Sequence, residues 1–327
     1  MAAGAVARFL AALLLAPLVA WGVAAIWVDG PVSRPLAAGL ALAFAAGCVA
    51  LIARLRPLRA CAAVLLAVAL LIGWWLRIPP RNDRDWQPDV ARPARATTAG
   101  SRVTLENVRN FHYRSETDYD ERWETRTIDL DRIRGVDLYL SHWGSPHIAH
   151  TIASWQFEEG PPLAISIETR KEKGETYSAL LGFFRQFEIY YVVADERDVV
   201  RLRTNVRGED VYRYPIRLDA ARARALLADY LEEVNQLGDH AEWYNAVTDN
   251  CTTAIRRHVL RALGHPPFSW KVLANGHYPE LLYERGAIDT SLPFPEIRAR
   301  AAVSARARAL GDAADFSARI RDGLPSR

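Results

Sequence analysis

Three long runs of apolar residues open the chain, and none of them contains a charged side chain. They cover residues 9–28, 36–53 and 60–75. Each run is close to the roughly 17 to 25 residues that a helix needs to span a bilayer. A cleaved signal peptide accounts for the first run but not for the other two. The pattern therefore predicts that residues 1–78 form a transmembrane module of three spans.

The arginines beside these runs predict the orientation of the module. Arg54, Arg56 and Arg59 lie between the second and third runs, and Arg8 precedes the first. The positive-inside rule places both groups in the cytoplasm, so the third span leads outward. We expect a multi-pass protein of the bacterial cytoplasmic (inner) membrane, with its remaining residues in the periplasm.

The pattern changes after the third run. Residues 79–101 are rich in proline, arginine and small polar residues, which predicts a linker, and residues 102–327 have the texture of a globular exported domain. Strands are predicted at 102–105, 107–113, 126–130, 136–140, 147–157, 163–170 and 187–193. Residues 199–205 fit a strand or a short helix, and helical spacing recurs at 218–237, 273–285 and 294–314. The expected fold class is α+β, with an antiparallel sheet packed on helices.

Two of these strands, 147–157 and 163–170, are joined by a Gly-Pro turn and predict a hairpin. Side chains alternate between the two faces of a strand. One face carries His150, Ile152, Ser154 and Gln156 on the first strand, and Ser166, Glu168 and Arg170 on the second. Polar groups on otherwise apolar strands need partners, so this face either meets water or lines a site.

One cysteine lies outside the apolar third of the chain. Asp249 and Asn250 are capping residue types, so Cys251 is expected at the start of a helix, where the helix dipole favours a thiolate. Cys48 and Cys61 lie in or beside predicted spans and cannot pair with it. An unpaired thiol in an oxidising compartment indicates either deep burial or reactivity, and we favour reactivity.

The charge balance excludes one class of partner. Lys+Arg 41 against Asp+Glu 38 gives a formal net charge of +3, which offers no electrostatic basis for binding nucleic acid. A dense mixed cluster is expected to form a salt-linked scaffold and comprises Glu196, Arg197, Asp198, Arg201, Arg203 and Arg207. The arginine-rich tail from Ala299 fits either an anionic membrane surface or a solvated segment.

Several spaced motifs resemble those of the Lnb-type lipoprotein N-acyltransferase domain. They are Asp85-Trp86, Asn107-Val108-Arg109-Asn110, Ile148-Ala149-His150, the run 166–172 (SIETRKE), the run 185–188 (RQFE), the run 195–198 (DERD), Tyr244-Asn245 and the run 250–253 (NCTT). The resemblance covers essentially the whole exported region. The order of histidine before cysteine is also similar to the permuted NlpC-type, papain-like thiol fold, which includes lecithin:retinol acyltransferase. The resemblance implies acyl transfer onto the α-amino group of a lipoprotein's lipidated N-terminal cysteine.

The chemistry of such a transfer suggests roles for the candidate residues. Cys251 is the expected nucleophile, His150 the general base and acid, and backbone N–H groups at the helix start the oxyanion donors. Glu168 is our choice for the group that orients the histidine, with Ser166, Asn250 and His147 as reserves. The candidate substrate-binding residues are Ser166, Asn250 and Arg170. No metal or cofactor is expected. The acyl acceptor would be a lipoprotein, and the donor a phospholipid or the lipoprotein's own glyceryl ester.

Two other classes of function stay open at the level of the sequence. A cell-wall cysteine peptidase or amidase of NlpC type needs the same cysteine and histidine, but it needs neither three spans nor an apolar groove. A non-catalytic envelope scaffold would use Cys251 as a packing residue and the charge cluster as a binding surface. A fatty-acyl group on Cys251 would support only the acyltransferase.

Overall fold

Three apolar helices form the N-terminal part of the structure: α1 (Ala2–Asp29), α2 (Arg34–Arg54) and α3 (Pro57–Trp75). All three are long and apolar enough to cross a membrane, as the sequence predicts. A proline lies in the first turn of both α2 and α3. The N–H groups of a first turn have no partner within the helix, so proline is tolerated there. Cys48 packs with Leu15, Val64 and Val68 between the helices, so this thiol serves as a small apolar side chain.

The computed structural model describes residues 2–31, 33–264 and 267–324, which divide into two compact units. The first unit contains the residues up to Arg81 together with Tyr177–Glu188 and Trp243–Ala246. Within it, the backbone N–H of Arg185 donates to the carboxylate of Asp29 at 3.1 Å. The sequence places both added segments in the exported domain, whereas the structure groups them with the three helices.

The second unit contains most of a mixed eight-stranded sheet. Its strands are β1 (Arg95–Ala99), β2 (Arg102–Arg109), β5 (Trp123–Asp129), β6 (Ile133–His142), β7 (Ala149–Phe157), β8 (Leu163–Arg170), β9 (Glu188–Asp195) and β10 (Asp210–Ile216), while β3 (His112–Tyr113) and β4 (Tyr119–Asp120) form a separate pair. The strand order is β1-β2-β9-β8-β7-β6-β10, with β5 also paired to β2. The β2–β9 pair is parallel, and the β6–β7, β7–β8 and β6–β10 pairs are antiparallel. The predicted α+β class is confirmed.

The described residues of this unit form seven helices. They are α4 (Glu196–Arg201), α5 (Ala220–Asp239), α6 (Cys251–Leu263), α7 (Tyr278–Glu284), α8 (Phe294–Ala301), α9 (Ser304–Leu310) and α10 (Phe316–Arg319). A π-turn at Leu202–Val206 continues α4. The longest, α5, starts at the cap Asp219 and buries one apolar stripe that includes Leu227, Leu231 and Val234.

The predicted linker contains ordered structure. Strand β1 and a 3-10 turn at Pro88–Val90 both lie within residues 79–101. Two buried arginines of the sheet hold this segment: Arg109 donates to the carbonyl of Asp89, and Arg170 donates to that of Val90, both at 3.0 Å. Proline and arginine content did not indicate this docking, because the partners are distant in sequence.

Residues 199–205 are helical throughout, in α4 and the π-turn, which agrees with the helix of the two predicted alternatives. Two other predicted segments differ from the structure. The helix predicted at 273–285 begins only at Tyr278, after short 3-10 turns. The helix predicted at 294–314 is divided into α8 and α9, because the N–H of Val303 donates to the carbonyl of Val211 beside β10 and Val303 is fully buried. Sheet pairing and burial at this point outweigh helical propensity.

The predicted strands at 102–105 and 107–113 form β2 and β3. The pairing of β2 with β5 shifts between Leu105 and Val108. Asn107 lies in this bulge with a φ of 57°, a left-handed conformation that asparagine tolerates better than most residues.

Candidate active site

Cys251 is the first residue of α6, as the sequence predicts. The side-chain oxygen of Asn250 accepts hydrogen bonds from the backbone N–H groups of Thr252 and Thr253 at 2.9 and 3.0 Å. The hydroxyl of Thr253 accepts one in return from the N–H of Asn250 at 2.9 Å. This reciprocal capping box fixes the start of the helix. Asn250 is therefore a cap that positions Cys251, and we do not carry it forward as a substrate-binding residue.

The capping box also limits the donors available beside the thiol. Asn250 engages the N–H groups of Thr252 and Thr253. Among the described residues, no acceptor faces the N–H of Cys251, so this N–H can donate to a ligand. It lies next to its own Sγ atom. An oxyanion formed by attack of that sulfur would face this N–H and the positive end of the helix dipole.

His150 lies buried on β7, beside β8 of the predicted hairpin. Its Nε2 is 2.7 Å from Ser166 Oγ and 3.1 Å from Glu168 Oε1. The hydroxyl of Ser166 donates to the same carboxylate oxygen at 2.7 Å. The structure thus brings three of the predicted residues into one hydrogen-bonded group, with Ser166 inside it rather than open to a ligand.

The thiol of Cys251 lies close enough to this group for Cys251 and His150 to shift each other's pKa. Burial lowers the pKa of His150, but the charge of Glu168 and the interactions with Cys251 and Glu168 outweigh it, so the pKa is raised. Burial raises the pKa of Cys251, but the interaction with His150 and the charge of that ring outweigh burial, so the pKa is lowered. The two shifts favour a thiolate paired with an imidazolium.

Arg203 completes the electrostatics of the site and was missed as a site residue by the sequence. It lies in the π-turn, where its guanidinium donates to Glu168 Oε1 at 2.8 Å and to Glu209 at 3.4 Å. Burial raises the pKa of Glu168, but His150 and Arg203 hold it well below its usual range. Glu168 is therefore a permanent negative charge beside the imidazole. The sequence had grouped Arg203 with the salt-linked scaffold.

Asn275 is a second residue that the sequence did not indicate. Its side-chain oxygen accepts from the N–H of Ala149 at 2.8 Å, while its amide donates to the carbonyl of Ala149 at 2.6 Å and to Thr252 Oγ1 at 2.7 Å. It therefore ties the strand that carries His150 to the helix that carries Cys251. The next residue, Gly276, has no room for a side chain, because a Cβ atom there would lie 2.2 Å from the carbonyl oxygen of Pro146.

Two predicted candidates lie apart from the group. His147 is exposed, and its Nδ1 is 2.9 Å from Nε2 of His277. The guanidinium of Arg170 is buried against the ring of Trp86, with 4.3 Å from its central carbon to the ring centroid, and bonds to the carbonyls of Val90 and Ala91. These contacts give Arg170 a structural role, so we do not carry it forward as a substrate-binding residue.

A second buried histidine braces the helix that carries the nucleophile. His258 of α6 lies 2.7 Å from the hydroxyl of Tyr191 and 2.5 Å from Asp229 Oδ2. Burial lowers the pKa of His258 more than Asp229 raises it. A neutral imidazole can donate to Asp229 and accept from Tyr191. This histidine therefore connects α6 to α5 and β9 rather than to the thiol.

The rest of the charge cluster is a salt-linked scaffold, as predicted. Arg109 and Asp198 form a buried bidentate pair at 2.7 Å. The hydroxyl of Ser154 donates to the buried carboxylate of Glu196 at 2.6 Å, and Gln156 donates to it at 3.2 Å. The polar face of β7 is thus divided: His150 joins the site, and the other two residues join the scaffold.

Comparison with known proteins points to one family. Residues 119–276 match the family model described as the Lnb N-terminal periplasmic domain, and this range contains the whole hydrogen-bonded group. No curated protein and no solved structure matches the chain. Across the described residues, no group of three or more histidine, cysteine or acidic side chains could hold a metal ion.

Proposed function

Because residues 119–276 belong to the Lnb-type family, we propose that this membrane protein is an acyltransferase that N-acylates the lipidated N-terminal cysteine of lipoproteins. The family connects the chain with a periplasmic domain and with lipoprotein maturation. One observation carries the proposal beyond the family. The thiol of Cys251, at the start of α6, interacts electrostatically with a buried His150, and Nε2 of that histidine is 3.1 Å from Glu168 Oε1. This is the arrangement that nucleophilic acyl transfer requires.

In the first step, the thiolate of Cys251 attacks the ester carbonyl of the acyl donor. A carbon–sulfur bond forms, and the carbonyl oxygen becomes an oxyanion beside the N–H of Cys251. When the carbon–oxygen ester bond breaks, the protonated His150 gives its proton to the departing alcohol. The products are an acyl-thioester on Cys251, a neutral His150 and a free alcohol. The donor is a phospholipid or the glyceryl ester of the lipoprotein itself.

In the second step, the α-amino group of the lipoprotein attacks the thioester. The amine loses its proton to His150, the carbon–sulfur bond breaks, and the amide product leaves. The thiolate and the imidazolium are restored together, so the raised pKa of His150 and the lowered pKa of Cys251 match the resting state of the cycle. Glu168 and Ser166 hold the ring in place through both proton transfers.

The location follows from the arginines beside the spans. By the positive-inside rule, Arg54, Arg56 and Arg59 favour a cytoplasmic loop between α2 and α3, and we therefore propose that the catalytic domain lies on the periplasmic side of the inner membrane. A phosphatase that is active only in the periplasm, fused after Arg327, should therefore be active. An inactive phosphatase, together with an active cytoplasmic reporter at the same position, would refute this topology.

Mass spectrometry tests the proposed chemistry directly. The purified full chain is incubated with phospholipid, and the peptide that contains Cys251 is examined for a fatty-acyl mass that hydroxylamine removes. An acylated Cys251 that passes its acyl group to a diacylated lipopeptide supports the proposal. Cleavage of peptidoglycan fragments without any acyl mass would instead indicate the cell-wall peptidase or amidase.

A further inference from the structure

The exposed apolar side chains of the second unit are not scattered over its surface. Among its described residues, the large apolar side chains that are exposed lie in the loop 143–148, just before α6, and in the segment 268–273. They are Trp143, Ile148, Val247, Phe268, Trp270 and Leu273, with exposed fractions from 46% to 68%. We refer to these six residues as the apolar rim. Exposed apolar residues gathered in one region mark an interaction surface.

Contacts of Gly276 and His277 connect two segments of the rim, the loop 143–148 and the segment 268–273, and Val247 lies four residues before Cys251. The N–H of Gly276 donates to the carbonyl of His147 at 3.0 Å, and the His277 ring lies 5.2 Å from the ring of Trp270. The rim is also connected to the site, because Asn275 bonds both Ala149 and Thr252, the neighbours of His150 and Cys251. The rim therefore lies around the start of α6 and is continuous with the proposed active site.

Two arginines beside the rim indicate the charge of its partner. Arg256 lies over the ring of Phe268 at 5.9 Å, and Arg285 donates to the carbonyl of Pro267. Both line a small pocket that also includes Thr252 and Val272. Neither forms an ion pair with any carboxylate of the described residues, whereas most other arginines of this unit do. Aromatic side chains beside uncompensated arginines are typical of surfaces that bind anionic lipid.

We propose that the apolar rim inserts into the outer face of the bilayer, with Arg256 and Arg285 beside anionic headgroups. The segment 76–81 that follows α3 has six residues and reaches at most about 20 Å, so the domain cannot move far from the membrane. Insertion brings the start of α6 to the depth of the ester bonds of phospholipids. The inference rests on the proposed function for its purpose, but the contact with lipid can be measured independently.

Photocrosslinking tests the contact. The full chain is reconstituted in vesicles of phosphatidylethanolamine and phosphatidylglycerol that include a phospholipid with a diazirine in its acyl chain. After illumination and digestion, lipid adducts are expected on the peptides 143–148 and 268–273 in addition to the three helices. Adducts confined to the helices would overturn the proposal. In a parallel sample treated with a bifunctional crosslinker, crosslinks between the rims of two chains would assign the surface to a second copy instead.

A paired activity measurement separates this inference from the proposed function. Replacing both exposed residues Ile148→Asn and Leu273→Asn should slow the acylation of Cys251 by vesicle phospholipid by more than about tenfold, because two apolar side chains no longer enter the bilayer. Acylation by a water-soluble short-chain ester should not change. The control Thr98→Asn alters an exposed residue of β1 and should affect neither rate. If the double variant and the unmodified chain are acylated by vesicle phospholipid at equal rates, the insertion of the rim is refuted. If the unmodified chain is not acylated at all, the proposed function is refuted.

Discussion

Replacing Glu168 by Gln removes the charge that sets the protonation of the catalytic histidine while keeping the shape of the side chain. Glu168 Oε1 is 3.1 Å from Nε2 of His150 and 2.8 Å from Nη2 of Arg203. In the native protein, burial lowers the pKa of His150, and the interactions with Glu168 and Cys251 together outweigh burial. In the variant, burial and the charge of Arg203 both lower that pKa, so the imidazolium is destabilised.

The size of the effect can be bounded from the distance. Two unit charges 3.1 Å apart interact by about 5 kcal/mol at an effective dielectric constant of about 20, which is an upper limit. Arg203 shares the same carboxylate oxygen and cancels part of this interaction. Opposite charges at such distances shift a pKa by about 1 to 3 units in proteins. The charge of His150 lowers the pKa of Cys251 by more than the charge of Glu168 raises it, so the pKa of the thiol should rise in the variant, but by less than the pKa of His150 falls.

The assay is the rate of alkylation of Cys251 by iodoacetamide as a function of pH, read by mass spectrometry on its peptide. The midpoint of the profile should move upward in Glu168→Gln, by less than the roughly 1 to 3 units expected for His150. The control Glu158→Gln removes an exposed carboxylate that pairs with Arg132 at 2.6 Å, and its profile should match the native one. An unchanged or lower midpoint in Glu168→Gln would show that Glu168 does not set the charge of the histidine.

Three further predictions concern the catalytic pair, the two cysteines of the spans, and the hydrogen bonds of Asn275. Cys251→Ser should abolish N-acylation of a diacylated lipopeptide, and His150→Ala should lower the rate of N-acylation by about 100- to 10,000-fold. The double variant should be little worse than Cys251→Ser. Full N-acylation by Cys251→Ser would exclude a thioester intermediate. Replacing Cys48 and Cys61 together by Ala should leave the rate within a few-fold of native, because Cys48 packs among apolar residues; a collapse at normal protein level would contradict this. Asn275→Ala leaves the buried N–H and carbonyl of Ala149 without their partner. Chemical denaturation should therefore show a loss of about 1 to 3 kcal/mol in the free energy of unfolding, and kcat should fall at a similar KM. Native stability and a native kcat would show that Asn275 does not hold β7 against α6.

Local signals in the sequence were sufficient for the central elements of the site. The capping residues before Cys251 predicted the start of α6, and the Gly-Pro turn with alternating polarity predicted the hairpin that carries His150 and Glu168. These features depend on residues within one turn or one hairpin of each other. Short-range pattern and capping rules apply directly at that distance.

The residues that the sequence missed act through long-range contacts. Arg203 meets a carboxylate 35 positions away, and Asn275 meets Ala149 across 126 positions. Neither has a neighbour in sequence that would set it apart from an ordinary surface arginine or turn asparagine. The fold offers a similar case in Val303. Its N–H donates to the carbonyl of Val211 beside β10, and this distant pairing interrupts a stretch whose sequence has continuous helical spacing.

The π-turn at Leu202–Val206 makes the position of the Arg203 charge depend on the number of residues in the turn as well as on their identity. Its defining bond runs from the N–H of Arg207 to the carbonyl of Leu202 at 3.0 Å, five residues earlier, so the turn holds one residue more than an α-helical turn. Each residue advances a helix by about 100°. Loss of a single residue just before Arg203 would therefore rotate its guanidinium away from Glu168 without altering any atom of either side chain. Chains of this kind could acquire or lose the paired arginine by an insertion or a deletion, and a residue-by-residue comparison that ignores gaps would not detect the change.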